Sequence, residues 1–459
     1  LVFERDLLGR ETQRSTRDGR ISICSDYDSG DRLIDQRVST PVPGDGLPEI
    51  LVQRRWQYDR AGRTTRIDDA RWGATHYVYD KRDLLLEARN DNLREVFAYD
   101  SAGSLVRTLE GLGAPADAAG KGDWKMAPGN VLVQTSRAKY AHDKRSRRTS
   151  NRDLFSEDVL RYSWDVRDRL REVTMADGTR VSMTYDAFGR RVRKEIFTPS
   201  SVPLRSVEFL WDGYVIAADI DTQHGSRCFV HRPGTLEPMV QAERGEVFLY
   251  VNDHLGMPKE LLSVGGRVAW SASHTAWGRV TKDKRAMTGA IGGRSIASPF
   301  RLLGQYSDEE TGLCSTLFRY FDPDTGRWLS PDPLGIFGGK NLFEFGSSPT
   351  VTVDPLGMVP DVFRGGYSLD VHKGEYKPRK EAGDLTGRGI STWNTPEKVE
   401  KFGGAFKVVS VPDSLEVAQR GNNKDHYEII AKKPGMTEEE YKNAVKEVKL
   451  EKVHTPGGK

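Results

Sequence analysis

Short runs of alternating apolar and polar residues recur through the first three hundred positions of the chain. In the clearest run, 180–185, Val181 and Met183 alternate with polar neighbours. A period of two is typical of a β-strand with one buried face. The run leads into Asp186-Ala187-Phe188-Gly189, a turn in which glycine takes positive φ, and the next run begins directly after it. The pattern therefore predicts consecutive β-hairpins.

The turns carry a repeated signature: Tyr or Trp, then Asp, then Gly or Asp a few residues on, with Arg or Leu behind it. Three of the intervals, from Tyr58 to Tyr79, from Tyr79 to Tyr99 and from Trp164 to Tyr185, are close to twenty residues. Because one hairpin of that length is marginally stable in water, stacked hairpins are expected to pair into a continuous sheet. The near-fixed spacing argues against the alternative, an ordinary β-sandwich with chance Tyr-Asp pairs. Copies begin at Tyr27, Tyr58, Tyr79, Tyr99, Trp164 and Tyr185.

Composition narrows this picture only a little. A chain of 459 residues is long enough for two or more domains, and 46 glycines suit many tight turns. The net charge of +3 favours neither presence nor absence of a nucleic-acid partner. Cys24, Cys228 and Cys314 are odd in number and far apart, which predicts no disulfide framework and no metal site, and favours a reducing compartment. No apolar run is long enough for a membrane span, and no signal peptide is recognised.

These repeats resemble the YD repeats of Rhs proteins and of the related insecticidal toxin-complex C subunits. A later stretch, 251–258, resembles a further Rhs signature. The resemblance implies a mostly β fold, in which a YD-repeat hairpin sheet spirals into a hollow shell around a small α+β toxin domain. It divides the chain into a shell fragment (1–298), a shell end with a self-cleavage motif (299–358) and a C-terminal toxin domain (359–459). The repeats are too few for a full shell, so an upstream part of the shell is expected. His254 is interpreted as a packing or turn residue.

Two identical Asp-Pro-Leu-Gly segments begin at Asp332 and Asp354. Alone, they could simply close two turns. Their arrangement, however, resembles the Rhs self-cleavage site, where the chain is cut directly after an Asp-Pro-x-Gly-Leu element. The resemblance implies cleavage between Met358 and Val359, with Met358 in place of the family's leucine.

Paired carboxylates beside a peptide bond suit hydrolysis. In a low-dielectric site both cannot ionise easily, so one keeps its proton and the other acts as base on water. Asp332 and Asp354 are the predicted aspartyl-type pair, and Arg327 is predicted to steady them as a counter-charge. The expected result is one cut per chain, which frees the enclosed domain.

After Met358 the Tyr-Asp pattern stops and a compact α+β domain is predicted. Thr437 and Glu440 form a capping box that opens a helix expected to run to Lys449, with Tyr441, Ala444, Val445 and Val448 on one face. The other predicted elements are strands at 362–366, 389–393, 405–411 and 425–430, a loop at 370–389 and a short helix at 395–402.

This order resembles mono-ADP-ribosyltransferases of the Arg…Ser-Thr…Glu type. The matching segments are Phe363-Arg364-Gly365, Ser391-Thr392-Trp393, Gly403-Gly404-Ala405-Phe406 and His426-Tyr427-Glu428. The resemblance implies NAD as a substrate, no metal, Glu428 as the catalytic carboxylate, and an NAD site built from Arg364, Gly365, Ser391, Thr392 and His426. Breaking the nicotinamide–ribose bond develops oxocarbenium character, which a carboxylate stabilises, and a guanidinium suits the pyrophosphate.

Two alternatives stay open for this domain. A metal-independent RNase would use His426 and Glu428 with Arg364 for acid, base and phosphate clamp, and His372 could join them. A plug or receptor-binding module would have no catalytic residues. A histidine at position 426, where relatives that modify arginine carry an acid or amide, leaves the acceptor open between protein and nucleic acid.

The Rhs resemblance further implies partners and a destination. They are a cognate immunity protein, spike and chaperone proteins of a type VI secretion machine, and an acceptor macromolecule in the target cell. The protein is accordingly expected to be secreted and delivered to the cytoplasm of a competing cell.

Overall fold

The computed structural model describes residues 1–42, 47–101, 103–111, 123–285, 295–335, 341–346 and 348–358, and, farther on, 363–365, 390–393, 405–411, 415–419, 426–431, 436–445 and 448–453. The chain forms two units. The first comprises Leu1–Asp59, Arg63–Ile336 and Lys340–Met358, and Val359–Lys459 belong to the second. The unit boundary therefore falls on the bond for which cleavage is predicted.

The described part of the first unit consists of antiparallel strands. They are β1 Val2–Arg5, β2 Glu11–Ser15, β3 Ser22–Tyr27, β4 Leu33–Thr40, β5 Glu49–Tyr58, β6 Thr64–Asp69, β7 Gly73–Tyr79, β8 Leu85–Arg89, β9 Arg94–Tyr99, β10 Leu105–Glu110, β11 Lys125–Ala127, β12 Val131–Gln134, β13 Ala138–His142, β14 Arg148–Asp153, β15 Val159–Trp164, β16 Leu170–Thr174, β17 Arg180–Tyr185, β18 Arg191–Phe197, β19 Pro203–Asp212, β20 Val215–Asp221, β21 Gly225–His231, β22 Pro238–Glu243, β23 Glu246–Asn252, β24 Pro258–Ser263, β25 Val268–His274, β26 Val280–Arg285, β27 Tyr306–Asp308, β28 Leu313–Ser315, β29 Tyr320–Asp322 and β30 Arg327–Trp328. In the described residues β1–β10 form one sheet, β11–β26 a second and β27–β30 a third, each in chain order. The prediction of consecutive hairpins in a mostly β fold is confirmed.

Each repeat turn is held by its aspartate. In the copy at Tyr185, Asp186 Oδ1 accepts the backbone N–H groups of Phe188 and Arg190, both at 2.9 Å, and Oδ2 accepts Arg190 Nε at 2.7 Å. Gly189 takes a φ of 86°. The Asp-x-x-Gly-Arg spacing thus closes the turn and fixes its arginine in one step.

Successive repeats also contact each other through their arginine and tyrosine side chains. The Arg169 guanidinium lies 4.9 Å from the centre of the Tyr185 ring, and its Nη1 donates to Asp186 O at 3.2 Å. In return, the Tyr185 hydroxyl donates to Leu170 O at 2.6 Å. The same cation–ring contact recurs at Arg10–Tyr27, Arg32–Tyr58, Arg63–Tyr79 and Arg147–Trp164. The repeated Tyr, Asp and Arg are therefore the residues that join one hairpin to the next.

The first two sheets pack against each other through a mixed core. Its apolar members are Ile21, Ile23, Val38 and Val52 from the first sheet and Leu249, Val251 and Leu262 from the second. Polar side chains also cross the interface: Gln36 Nε2 donates to Asn252 O at 3.1 Å. His254 lies here too, accepting Trp56 Nε1–H at Nδ1 (3.1 Å) and contacting Thr64 Oγ1 through Nε2 (3.0 Å). This environment agrees with a packing role for His254.

The third sheet is anchored to the second by buried ion pairs. Arg148 Nη1 lies 2.6 Å from Asp322 Oδ2, and Lys194 Nζ lies 3.0 Å from Asp308 Oδ1. Arg191 contacts the other oxygen of Asp308 at 2.5 Å. Because a buried charge without its partner is costly, these pairs fix where β27–β30 lie. The third sheet in turn carries the candidate site.

The second unit is described through one sheet and one helix. Its elements are β31 Phe363–Gly365, β32 Ile390–Trp393, β33 Ala405–Ser410, β34 Leu415–Gln419, β35 His426–Ala431, α1 Glu438–Val445 and β36 Lys449–Val453. Within the described residues the strand order is β34-β35-β32-β31-β33-β36. The predicted loop at 370–389 and the predicted short helix at 395–402 lie outside the described residues. The strand predicted at 389–393 is described from Ile390 onward, where it forms β32.

One prediction about the second unit needs correction, and one strand was missed. The capping box forms, since Glu440 N donates to Thr437 Oγ1 at 3.2 Å and Thr437 N donates to Glu440 Oε2 at 2.8 Å. The helix, however, ends at Val445 instead of running to Lys449. Residues 449–453 instead form β36 and pair with β33, so this pairing overrides the helical spacing that predicted Lys449 in the helix. The edge strand β34 was not predicted.

Candidate functional site

The site is centred on Arg319, which directly precedes β29. Its residue is 2% exposed, and its guanidinium lies 4.5 Å from the centre of the Trp328 ring. Thr316 closes the preceding turn by donating from N to Arg319 O at 2.9 Å. A buried arginine needs anionic or carbonyl acceptors, and these come from both Asp-Pro-Leu-Gly segments and from Leu342 between them.

The structure brings Asp332 and Asp354 onto one nitrogen of this guanidinium. Arg319 Nη2 lies 2.7 Å from Asp332 Oδ2 and 3.0 Å from Asp354 Oδ2. Both aspartates are buried. The two carboxylates, which belong to different Asp-Pro-Leu-Gly segments, are therefore bound by the same nitrogen atom of one guanidinium group.

The remaining contacts fix the segment that ends at Met358. Arg319 Nε donates to Gly357 O, and Nη1 donates to Leu342 O at 3.1 Å. Asp354 Oδ1 accepts the N–H groups of Gly357 at 2.9 Å and Met358 at 3.0 Å. The chain consequently bends around the Asp354 carboxylate just before the predicted cut. Val359 lies outside the described residues.

Burial sets the electrostatics of the pair. It raises the pKa of both Asp332 and Asp354, while the Arg319 cation opposes that rise; for Asp354 the neighbouring Asp332 raises the pKa further. Burial also lowers the pKa of Arg319, which the two carboxylates oppose. The arrangement can accept and return a proton more readily than an exposed aspartate does.

The prediction that Arg327 steadies the aspartates is wrong. Arg327 Nη2 donates to Asn130 O, and its guanidinium lies 5.7 Å from the Phe343 ring centre. Side chains alternate along β30, so Trp328 faces Arg319 while Arg327 points away from it. The signal for Arg319 was present in the sequence: one arginine inside the run Leu317-Phe318-Arg319-Tyr320-Phe321.

In the second unit, backbone pairing joins the other predicted residues. Ser391 lies directly across from Glu428, Thr392 across from Tyr427, and Trp393 across from His426. β31, which carries Arg364 and Gly365, is the neighbour of β32 on the other side. The strands with the transferase-like motifs are therefore adjacent in one sheet. Within the described residues no group of His, Cys, Asp and Glu has metal-site geometry, and no described helix is long and apolar enough to cross a membrane.

Fold, repeats and comparisons together define the class. A family model described as RHS Repeat matches residues 159–195, which span two Tyr/Trp-Asp copies, and a model described as RHS protein matches residues 247–284. The chain therefore contains RHS/YD repeats related to those of the Rhs polymorphic toxins.

Particular relatives give this class more detail. The chain is 29% identical to double-stranded DNA deaminase toxin A of Burkholderia cenocepacia, over 80% of this chain and 26% of that protein. It is 28% identical to toxin protein Tse5 of Pseudomonas aeruginosa, over 80% and 32%. It is 29% identical to the probable deoxyribonuclease RhsA of Dickeya dadantii, over 78% and 24%. The chain thus spans about a quarter to a third of these relatives' lengths.

Solved structures show the same fold. The Photorhabdus luminescens Tc holotoxin pore matches with a TM-score of 0.63 at 16% identity, over 81% of this chain and 19% of that one. The crystal structure of TcdB2-TccC3-Cdc42 matches with a TM-score of 0.57 at 16% identity, over 78% of this chain and 19% of that one. The long antiparallel repeat sheets are therefore shared with Tc toxin components.

Proposed function

We propose that the first unit is part of a toxin shell that cuts the chain after Met358 and releases residues 359–459 as an effector. The observation that supports this most is the convergence of Asp332 and Asp354 on Arg319, with Asp354 bonded to the N–H of Met358. The unit boundary at Met358 and Val359 adds to it. Further shell strands from upstream sequence would complete the container, since the aligned part makes up only 24–32% of the relatives' lengths.

The reaction is hydrolysis of one peptide bond. Water adds to the carbonyl carbon of Met358, the bond to the Val359 nitrogen breaks, and a carboxylate and an amine result. The buried carboxylate pair provides the base and acid for the proton transfers, which one carboxyl group can perform in turn. Because the segment is part of the same chain, proximity is built in and each molecule reacts once.

Replacing both aspartates by asparagine is expected to stop the cut. Wild-type chain should give two bands on a denaturing gel, the smaller beginning at Val359 by N-terminal sequencing. The double variant Asp332→Asn/Asp354→Asn should give one full-length band. The control Asp158→Asn changes an exposed aspartate and should be cut normally. A fragment beginning at Val359 in the double variant would contradict self-cleavage by this pair.

The effector is proposed to be an NAD-dependent ADP-ribosyltransferase, with Glu428 as its catalytic carboxylate and Arg364, Ser391 and Thr392 around the nucleotide. The register that sets Ser391 across from Glu428 supports this assignment. An immunity protein, secretion-machine partners and delivery into a target cell's cytoplasm belong to the same proposal, which the similarity to toxins such as Tse5 supports.

A nuclease is the second candidate. Two of the similar proteins are named for action on DNA, one as a double-stranded DNA deaminase toxin and one as a probable deoxyribonuclease. Carried over to this chain, those names favour a nucleic-acid target, and the histidine at 426 beside Glu428 suits acid–base cleavage of RNA.

Labelled NAD separates the two candidates. The released domain, added to a bacterial lysate, should transfer label to macromolecules, and Glu428→Ala should abolish the transfer because the stabilising carboxylate is gone. Glu416→Ala, on the neighbouring strand β34, is the matched control and should keep the activity. Degradation of RNA in the absence of NAD would instead establish the nuclease. If neither label transfer nor RNA degradation is seen, the domain is a binding module without catalytic activity.

A further inference from the structure

We propose that the two aspartates have different tasks: Asp354 and Arg319 position the segment before the cut, and Asp332 alone exchanges the proton. This division of tasks rests on the proposed self-cleavage. It contrasts with a symmetric aspartyl pair, in which either carboxyl group could serve as the base.

Asp354 accepts hydrogen bonds from the segment that is to be cut. Its Oδ1 accepts two backbone N–H groups, from Gly357 and Met358, and its Oδ2 accepts Arg319 Nη2 at 3.0 Å. A carboxylate offers about four acceptor positions, so three of them are occupied. The carboxylate of Asp354 therefore shapes the bend at Gly357 and Met358, as an Asx-type turn does.

Asp332 has the freer carboxylate among the described contacts. Its Oδ1 accepts Leu334 N at 2.8 Å, and its Oδ2 lies 2.7 Å from Arg319 Nη2. Neither contact comes from the segment that ends at Met358. Asp332 thus lies beside that segment without holding it, which is the arrangement that a general base for an attacking water needs.

Arg319 links the two tasks. One guanidinium binds both carboxylates through Nη2, the carbonyl of Gly357 through Nε and the carbonyl of Leu342 through Nη1. Its planar fork is held over Trp328. A lysine could restore the charge but could not reach these acceptors in one fixed plane. Arg319 is therefore a positioning residue that touches no reacting atom in the described contacts.

The proton balance is then simple. Asp332 removes a proton from water as the water oxygen bonds to the Met358 carbonyl carbon. When the carbon–nitrogen bond breaks, the same carboxyl group gives that proton to the Val359 nitrogen. Asp332 ends in its starting state, and no further reactant is required.

Single asparagine variants test the division. In a cell-free translation reaction, synthesis is stopped and the fragment beginning at Val359 is followed with time. Asp332→Asn should slow its appearance by about 10²- to 10⁴-fold, the contribution of a general base. Asp354→Asn should slow it by less than about tenfold, because an asparagine Oδ1 still accepts both N–H groups of the turn. Asp354→Ala, which removes that acceptor, should slow it far more than Asp354→Asn.

Arg319 variants supply a readout that a purely structural role would not move. The rate should rise with pH as Asp332 ionises. In Arg319→Gln the cation that favours the ionised form is lost, so this rise should shift to higher pH. In Arg319→Lys the pH at which the rate rises should stay nearer the wild-type value, because the charge is kept, while the maximal rate falls. Matching thermal unfolding curves for these variants check that they fold.

The outcomes separate the two proposals. Equal loss in Asp332→Asn and Asp354→Asn, or a greater loss in Asp354→Asn, overturns the division of tasks and leaves self-cleavage standing. An unshifted pH profile in Arg319→Gln overturns the role of Arg319. An uncut wild-type chain, or unchanged cutting in the double asparagine variant, overturns self-cleavage itself.

Discussion

Gly304→Ala is expected to leave the first unit folded but to block the proposed self-cleavage. Gly304 has a φ of +80°, and a Cβ there would lie 2.0 Å from Pro355 O, a backbone atom that no side-chain rotation can move away. Pro355 directly follows Asp354, so relieving the clash must displace Asp354 and the turn in which it holds Gly357 and Met358. We expect the rate of self-cleavage to fall by at least about a hundredfold, because small misplacements of reacting groups have effects of that size.

The chain offers a matched control for this substitution. Gly312 has a φ of +71°, in the turn between β27 and β28, and no atom lies within 4 Å of its Cβ position. Gly312→Ala therefore introduces the same kind of left-handed strain, about 1–2 kcal/mol, without the clash. The cut fraction on a denaturing gel is compared after equal times. If both variants are cut equally fast, close contact with Gly304 does not position Asp354.

Local features of this fold could be predicted from the sequence, because they are encoded within one repeat. The Tyr-Asp-x-x-Gly-Arg spacing contains its own strand alternation, its own turn aspartate and the arginine that closes the turn. The structure adds the contact between repeats, in which Arg169 stacks on Tyr185. That contact depends on sheet register, and the sequence interval alone only hints at it.

Contacts between distant segments could not be predicted in this way. Arg54 and Glu260 are in contact although they are 206 positions apart in the chain. The alternation of apolar and polar residues along either strand does not identify the other strand as its neighbour. Arg319 escaped prediction for a related reason. A single arginine among aromatic residues signals a buried charge, but which carboxylates neutralise it depends on how β28, β29 and the segment before Met358 are packed. Asp332 and Asp354 were singled out by a family resemblance, whose chemistry remains a prediction.

The C-terminal helix shows where two periods compete. Tyr441, Val445 and Val448 satisfy a helical spacing, whereas Val448 and Leu450 are two positions apart, as apolar residues on one face of a strand are. The helix ends at Val445 because β36 gains a partner in β33. Tertiary pairing decides such a case, and single-sequence reasoning has no access to it.

Arg54→Met is expected to cause the largest loss of stability in the first unit. Arg54 is 1% exposed; its Nε lies 2.7 Å from Asp69 Oδ2, its Nη1 donates to Gln36 Oε1 at 3.1 Å, and its Nη2 contacts Glu260 across the two sheets. Methionine fills much of the space but leaves two buried carboxylates without their cation. Breaking a buried pair in this way costs about 3–5 kcal/mol, and urea denaturation of the full chain, followed by tryptophan fluorescence, should show it.

The adjacent residue separates this effect from a general loss of charge. Arg55 pairs with Asp35 at 3.0 Å, but its side chain is 66% exposed, so Arg55→Met should change stability by less than about 1 kcal/mol. Burial raises the pKa of Glu260, which Arg54 opposes; without Arg54 that pKa rises further. A carboxyl group whose pKa is higher in the folded state destabilises the folded protein increasingly as the pH rises above the pKa of that group in the unfolded state. The loss of stability in Arg54→Met should therefore become smaller toward acidic pH. Equal losses in the two variants, or a deficit that grows on acidification, would mean that the buried cation is not what joins the first sheet to the second.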